Sequence, residues 1–354
     1  MNIPPLPRSA LPLSDLPNQL DLPLNRLGRS MEQQAAAHES KMEELELPTL
    51  DLDHESSSRF TEQLAAACRD HGVFRLVNHG VPADLTARLF RLTRDLLDTD
   101  PAKKAKLPGY FWGTPALSLR VKDLNWVEGL HLAPDNASAD DGGAAYSAFR
   151  QAVTAEYVAH MARIARKLFD ALAGDLALAL DAEQRASYLE ERGGTFRAYR
   201  YPACDPAAGR QHLGMEPHTD SSVLSILNMD LVGGLQVLRR DGPISRWCAV
   251  RPVEGALVVN LGDMMQAMSG GAYRSVEHRV VAPPPGTERM SLCYFAFPQE
   301  DAVIVPSSTG KEERYRAFSY REFREQVQAD IKATGAKVGL ARFRIPDHPS
   351  PAPQ

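Results

Sequence analysis

After about Gly193 the chain breaks into short apolar or β-branched runs, each closed by a Gly, Pro or Asp turn. The runs are Thr195–Tyr201, Ser222–Asn228, Leu235–Leu238, Trp247–Val250, Ala256–Leu261, Arg274–Val281 and Met290–Phe297. None is long enough for a buried helix, and their even spacing points to a sandwich or barrel of short strands. Upstream the pattern is different. Ser56 to Arg69 opens on serines suited to a helix cap and places Phe60, Leu64, Ala67 and Cys68 at helical spacing. Val73–Asn78 alternates like a strand and turns at His79-Gly80-Val81-Pro82. Asp84–Asp98 and Tyr146–Leu180 read as helices, the second as one long helix or two. Tyr320–Thr334 reads as a closing amphipathic helix.

These readings predict an α+β architecture in which a helical N-terminal layer backs a mainly antiparallel core. A jelly roll, or double-stranded β-helix, disposes of exposed strand edges with two sheets and leaves a cavity between them. Along the chain we expect an irregular arm over 1–44, where six prolines prevent a long helix before Leu24. Beyond the arm we expect a helical region over 45–190, a β-core with its closing helix over 191–345 and a loose tail over 346–354.

The composition, 44% hydrophobic and 24% charged, is that of an ordinary globular protein. The formal net charge of -5 offers no electrostatic reason to bind nucleic acid or an anionic membrane. Cys68, Cys204, Cys248 and Cys293 include no CxxC spacing, so we expect reduced thiols. No apolar run reaches membrane-helix length, and Met1 to Arg29 lacks the layout of a signal peptide. A cytoplasmic location, with the nucleus also open to it, is the expectation.

Of the ten histidines, two stand in a pattern with chemical meaning. In His218-Thr219-Asp220 an extended backbone would place residues i and i+2 on one face, an imidazole beside a carboxylate. A third ligand is available from His278 in another strand-like run. Two histidines and one carboxylate form the facial triad of non-haem iron oxygenases, and they also serve catalytic zinc. An isolated HxD is common by chance, so the choice rests on residues downstream of the triad. Eleven residues after His278, Arg289 and Ser291 share a strand face and suit a distal carboxylate by an ion pair plus a hydrogen bond. Tyr201 can add a phenolic donor. A dicarboxylic 2-oxo acid would chelate iron at one end and rest on this pair at the other, whereas zinc hydrolysis has no use for a second anion site.

Further segments carry a family resemblance. They are Phe74-Arg75-Leu76-Val77-Asn78-His79-Gly80-Val81-Pro82, Leu213 to Ser221, Gly233-Gly234-Leu235-Gln236-Val237 and Val258-Val259-Asn260-Leu261-Gly262-Asp263. With these segments together and in this order, the chain resembles the plant-type 2-oxoglutarate- and Fe(II)-dependent dioxygenases over roughly residues 45–345. Leu124 to His131, with Trp126 and Glu128, resembles a segment of the gibberellin oxidases. The resemblance implies His218, Asp220 and His278 as iron ligands and Arg289 and Ser291 as partners of the 2-oxoglutarate C5 carboxylate. It also implies Tyr201 as a further contact of the co-substrate. One departure is Tyr199, where relatives carry asparagine.

The implied activity is oxidation of a small plant metabolite with O₂, releasing succinate and CO₂ and supported by ascorbate. A gibberellin or related diterpenoid leads. A flavonoid, an auxin or another specialised metabolite is the alternative, as is a non-catalytic hormone-binding module of the same fold or an oxidase that uses no 2-oxoglutarate. Candidate substrate-lining residues are Tyr110, Phe111, Trp112, Trp126, His131, Tyr294, Phe295 and Phe297, with Arg120 and Lys122 as candidate cations.

Overall fold

A computed structural model describes residues 42–113, 125–133, 142–178, 180–190, 194–203, 213–307 and 315–345. The arm up to residue 41, the tail over 346–354, Arg120 and Lys122 lie outside the described residues.

Strand β1 (Thr49–Asp51) leads into α1 (Ser58–Asp70). Ser57 caps α1 by accepting from the Phe60 amide at 3.1 Å, and the four apolar residues picked out by spacing are all buried. Next come β2 (Val73–Val77), α2 (Ala83–Leu97) and the short α3 (Pro101–Lys104). Two strands that the sequence pattern does not announce come after α3, namely β3 (Tyr110–Trp112) and β4 (Glu128–Leu132). The helical stretch expected over Tyr146–Leu180 is α4 (Gly143–Gln151), a π-helical segment (Ala152–Tyr157) and α5 (Val158–Asp175). Helix α6 (Ala182–Tyr188), also unexpected, starts at an Asp181–Gln184 capping box.

The β-core continues as β5 (Thr195–Tyr201), β6 (Leu213–His218), β7 (Leu224–Met229), β8 (Leu235–Asp241), β9 (Ile244–Ala249) and β10 (Leu257–Leu261). Then come α7 (Asp263–Met268), β11 (His278–Val281), β12 (Arg289–Ala296), β13 (Val303–Ile304) and β14 (Phe318–Ser319). The strand expected over Arg274–Val281 is only its second half. The Ser275 amide bonds instead to the Gln266 side chain at 2.6 Å. Helix α8 (Tyr320–Thr334) has its expected bounds, capped by Ser319 and ended by Gly335 at φ 77°.

Eight strands form the major sheet in the order β1-β2-β10-β7-β12-β5-β4-β3, and four form the minor sheet in the order β6-β11-β8-β9. Strands β1 to β4, from the helical region, thus extend the same sheet as the core strands. The period of two sorts each major-sheet strand between two cores. Phe74, Leu76, Phe196, Ala198, Leu292 and Tyr294 join the cluster that also holds buried residues of α1, α2 and α5. Val73, Tyr199, Tyr201, Val258, Cys293 and Phe295 meet Met215, Leu235, Val237 and Val280 of the minor sheet. This is the jelly-roll sandwich. A sheet covered on both faces also explains why β2, expected to alternate, is buried at every position from Val73 to Leu76.

Candidate metal centre and co-substrate site

The inter-sheet face is where the polar residues gather. Strands β6 and β11 pair so that His278 stands directly across from His218, their rings 4.4 Å apart. His218 Nδ1 meets the Glu216 carbonyl at 2.6 Å and His278 Nδ1 meets the Val276 carbonyl at 3.1 Å. Each carbonyl can only accept, so it fixes the proton on Nδ1 and leaves the Nε2 lone pair free for a metal. The Nε2 atoms lie 3.7 Å (His218) and 3.9 Å (His278) from the Asp220 carboxylate. At roughly 2.0–2.2 Å metal–ligand distances, adjacent ligand atoms stand roughly 3 Å apart, so small shifts close this set on an ion. Among the described residues, His218, Asp220 and His278 are the group able to hold a metal ion.

An extended backbone through His218-Thr219-Asp220 would put both ligands on one strand face. The structure differs: β6 ends at His218, and Asp220 sits in the turn before β7. Its direction is set from outside that segment. The Asp263 amide donates to the Asp220 carbonyl at 2.8 Å, and Asn260 Nδ2 donates to Asp220 Oδ2 at 2.8 Å. Gly262 allows this approach, because a Cβ there would lie 2.0 Å from the Ser222 carbonyl oxygen. Lys337 closes the turn from behind. Its ammonium reaches Asp263 at 2.6 Å, the Thr219 carbonyl at 2.9 Å and Ser221 Oγ at 3.0 Å. Asn260, Gly262 and Asp263 belong to the Val258–Asp263 motif, which as a sequence gives them no individual role, and Lys337 carries no sequence signal at all.

Electrostatics agree with a neutral, metal-ready imidazole at His218. Burial, and then His278 beside it, push His218 down to about 4 despite the pull of Asp220. Burial works to raise Asp220, but the two histidines and hydrogen bonds from Ser225 and Asn260 hold its carboxyl below the usual carboxylate range.

On the major sheet, Arg289 and Ser291 point into the same cavity as the triad, with Tyr201, Tyr199, Cys293 and Phe295. The β12–β5 register sets Arg289 opposite Tyr201 and Ser291 opposite Tyr199. Arg289 Nη1 donates to Ser291 Oγ at 3.3 Å, and the guanidinium lies 4.8 Å from the Tyr201 ring centre. Arg289 is 1% exposed, its Nε has no partner, and among the described residues no carboxylate pairs with it. A fully buried cation without a counter-charge is costly, by several kcal/mol, and an arriving anion removes that cost.

The aromatic candidates divide. Phe295 lines the cavity, and Phe111 meets Tyr199 edge-on at 5.8 Å. Phe297 stacks between Phe295 and Tyr320, at 6.2 and 5.8 Å. Tyr294 is a correction: its position in β12 turns it to the helix side. Tyr110 is tied to Glu128 at 2.9 Å, beside Lys104, and Trp126 Nε1 donates to the Pro202 carbonyl at 3.0 Å. Trp112 packs edge-on against Trp126 at 5.4 Å. Of the cysteines, Cys68, Cys248 and Cys293 are buried and free, as expected for reduced thiols, and Cys204 lies outside the described residues.

Comparison with known proteins gives one family. Residues 47–154 match the N-terminal family described as non-haem dioxygenase in morphine synthesis, and residues 185–298 match the 2OG-Fe(II) oxygenase superfamily. Gibberellin 2-beta-dioxygenase 8 of Arabidopsis thaliana is 37% identical over 319 residues, covering 85% of this chain and 88% of that protein. Gibberellin 2-beta-dioxygenase 6 of Oryza sativa subsp. japonica is 38% identical, covering 85% of each. The crystal structure of the rice dioxygenase for auxin oxidation superposes with a TM-score of 0.66 at 28% identity, covering 85% of this chain and all of that one. The structure of JOX2 with 2OG, Fe and JA gives 0.67 at 26% identity, covering 87% and 92%. Among the described residues no helix is long and apolar enough to cross a membrane.

Proposed function

The chain belongs to the 2OG-Fe(II) oxygenase superfamily, and from that premise we propose that it oxidises a gibberellin or a closely related diterpenoid. The enzyme is an Fe(II)- and 2-oxoglutarate-dependent dioxygenase. His218, Asp220 and His278 would hold the iron, leaving three positions open. Arg289 and Ser291 would take the distal carboxylate of 2-oxoglutarate, with Tyr201 beside them. The residues fit both groups: two imidazoles with fixed Nδ1 protons and one carboxylate for a divalent ion, and one buried, uncompensated guanidinium for an anion. That fully buried guanidinium without a carboxylate partner among the described residues, in the same cavity as the triad, is the observation that carries the reading.

Bound there, Fe(II), 2-oxoglutarate and O₂ supply the oxidising power to replace a C–H bond by C–OH, with release of succinate and CO₂. The protein's share is positional. The carbonyls of Glu216 and Val276 keep both imidazoles in the ligating tautomer. Asn260 occupies Oδ2 of Asp220 and so presents Oδ1. Val73, Leu227, Val258 and Phe295 give the reacting groups apolar walls. The gibberellin assignment draws on the names of the relatives, and a cytoplasmic place of action goes with a small, soluble substrate.

The experiment is an incubation of purified enzyme with Fe(II), ascorbate, 2-oxoglutarate and a panel of gibberellins, auxin and flavonoids. Succinate release that depends on a gibberellin, matched by a product heavier by one oxygen, is expected. Turnover confined to an auxin or a flavonoid would overturn the substrate, and full turnover by His218→Ala or Asp220→Ala protein would overturn the site.

A further inference from the structure

A second cation faces the inter-sheet space, and neither iron nor 2-oxoglutarate binding as described uses it. Arg197 stands on β5 directly opposite Cys293, while Arg289 stands four residues away, opposite Tyr201. Arg197 is half-buried, and its hydrogen-bond partners among the described residues are a histidine ring nitrogen and a phenol. Its Nε donates to His131 Nδ1 at 3.0 Å, its Nη1 donates to the Tyr199 hydroxyl at 3.3 Å, and its guanidinium lies 5.1 Å from the centre of the Phe295 ring. Among the described residues no carboxylate pairs with it. Strand parity puts Arg197 on the same face of β5 as Tyr199 and Tyr201, both of which line the triad cavity.

Its neighbours define what it can receive. His131 pins the Nε edge, which orients the rest of the guanidinium fork. Tyr199 is buried, and burial raises its phenol, so its proton stays on. The hydroxyl accepts from Arg197 and keeps its own hydrogen to donate. A guanidinium edge and a phenol hydrogen side by side fit a carboxylate, one charge-assisted bond from each. The Phe295 ring beside the guanidinium lines the triad cavity, whose other apolar walls include Val73, Leu227 and Val258. The ligand that fits is a small carboxylic acid with a bulky hydrocarbon body.

We propose that Arg197 and Tyr199, with His131 as their positioning residue, bind a carboxylate of the prime substrate. This gives a task to Tyr199, whose side chain lines the cavity beside Tyr201. The proposal rests on the dioxygenase reading of the site and narrows the substrate to an acid.

The test titrates anaerobic enzyme, loaded with Fe(II) and 2-oxoglutarate, by calorimetry. The probes are a gibberellin with a free carboxyl group, indole-3-acetic acid, the methyl ester of each, and naringenin, which has no carboxylate. At least one acid should bind about tenfold or more tighter than its ester, the loss expected for one charge-assisted hydrogen bond. Arg197→Gln and Tyr199→Phe should bring acid and ester level. Equal binding of acid and ester by the unsubstituted enzyme, binding of naringenin alone, or no binding of any acid would overturn the proposal. So would an Arg197→Gln protein that weakens 2-oxoglutarate instead of the acid. Binding of indole-3-acetic acid without the gibberellin would sink the gibberellin reading and leave the carboxylate subsite standing.

Discussion

Replacing Arg289 by methionine separates two roles a buried arginine can have. In a folded protein whose ion pair is already made, removing one partner costs about 3–5 kcal/mol, because the other charge is left buried. Arg289 has no such partner among the described residues. Its polar contacts are Ser291 Oγ at 3.3 Å, Met229 Sδ at 3.8 Å and the Tyr201 face at 4.8 Å. Losing these costs about 1.5–3 kcal/mol for the hydrogen bond to a charged group and about 1 kcal/mol for the ring. Removing an unpaired buried cation returns several kcal/mol, and the methionine chain keeps most of the packing. The net change in the enzyme without co-substrate should therefore lie within about 1 kcal/mol of zero, or about 2 °C in Tm for a domain of this size. The co-substrate effect should vanish. At a 2-oxoglutarate concentration of about 100 Kd the unsubstituted, metal-loaded enzyme gains about 2.7 kcal/mol, and Arg289→Met enzyme should gain nothing. Differential scanning calorimetry with Mn(II) as the redox-silent metal reads both. A loss of several kcal/mol without co-substrate, or an undiminished 2-oxoglutarate shift, would refute the reasoning.

Other outcomes rest on the same contacts. Asn260→Ala frees Asp220 Oδ2 from its 2.8 Å hydrogen bond and should weaken divalent-metal affinity about 10–100-fold, read by Co(II) titration, with the fold intact by circular dichroism. Lys337→Met leaves Asp263, with a 5% exposed side chain, without its cation. We expect a stability loss of about 3 kcal/mol in urea unfolding, together with weaker metal binding, because Thr219 and Ser221 lose the same anchor. Metal-free enzyme should lose stability as pH falls. His218 resists protonation in the fold, from 6.5 down to about 4, so the unfolded chain takes up the proton first. The contribution is complete above pH 6.5 and fades between there and pH 4. Its ceiling is about 3.4 kcal/mol, and with a third of the side chain in water about half of that should appear, as a difference from His218→Asn protein in pH-dependent urea titrations.

Relations written at short range are legible in the sequence. Arg289 and Ser291 share a face because a strand has period two, and that relation survives folding unchanged. His218 and Asp220 sit two apart as well, but there a turn, not a pleat, aims the carboxylate. The forces on that turn come from Asn260, 40 residues on, and from Lys337, 118 residues from Thr219, and no local pattern announces contacts of that span. Strand β6 contains Gly214 and Pro217, residues that read as breakers, and becomes a strand only through pairing with β11. Strands β3 and β4 likewise owe their state to the edge of a sheet whose core lies elsewhere in the chain. Tyr294 is excluded from the cavity by parity: once Arg289 and Ser291 face it, the even-numbered positions of β12 face the helices. Arg197 needs the same parity, and the β5 register, to be seen.

The most direct test of the central claim is the oxygen and carbon balance of one turnover. Enzyme with Fe(II), 2-oxoglutarate, ¹⁸O₂ and a gibberellin should give succinate and product in equal amounts, with one labelled oxygen in each. The His218→Ala and Asp220→Ala proteins should give neither. Product formed without 2-oxoglutarate, product oxygen drawn from water, or unchanged yields from the two variants would contradict an iron held by His218, Asp220 and His278.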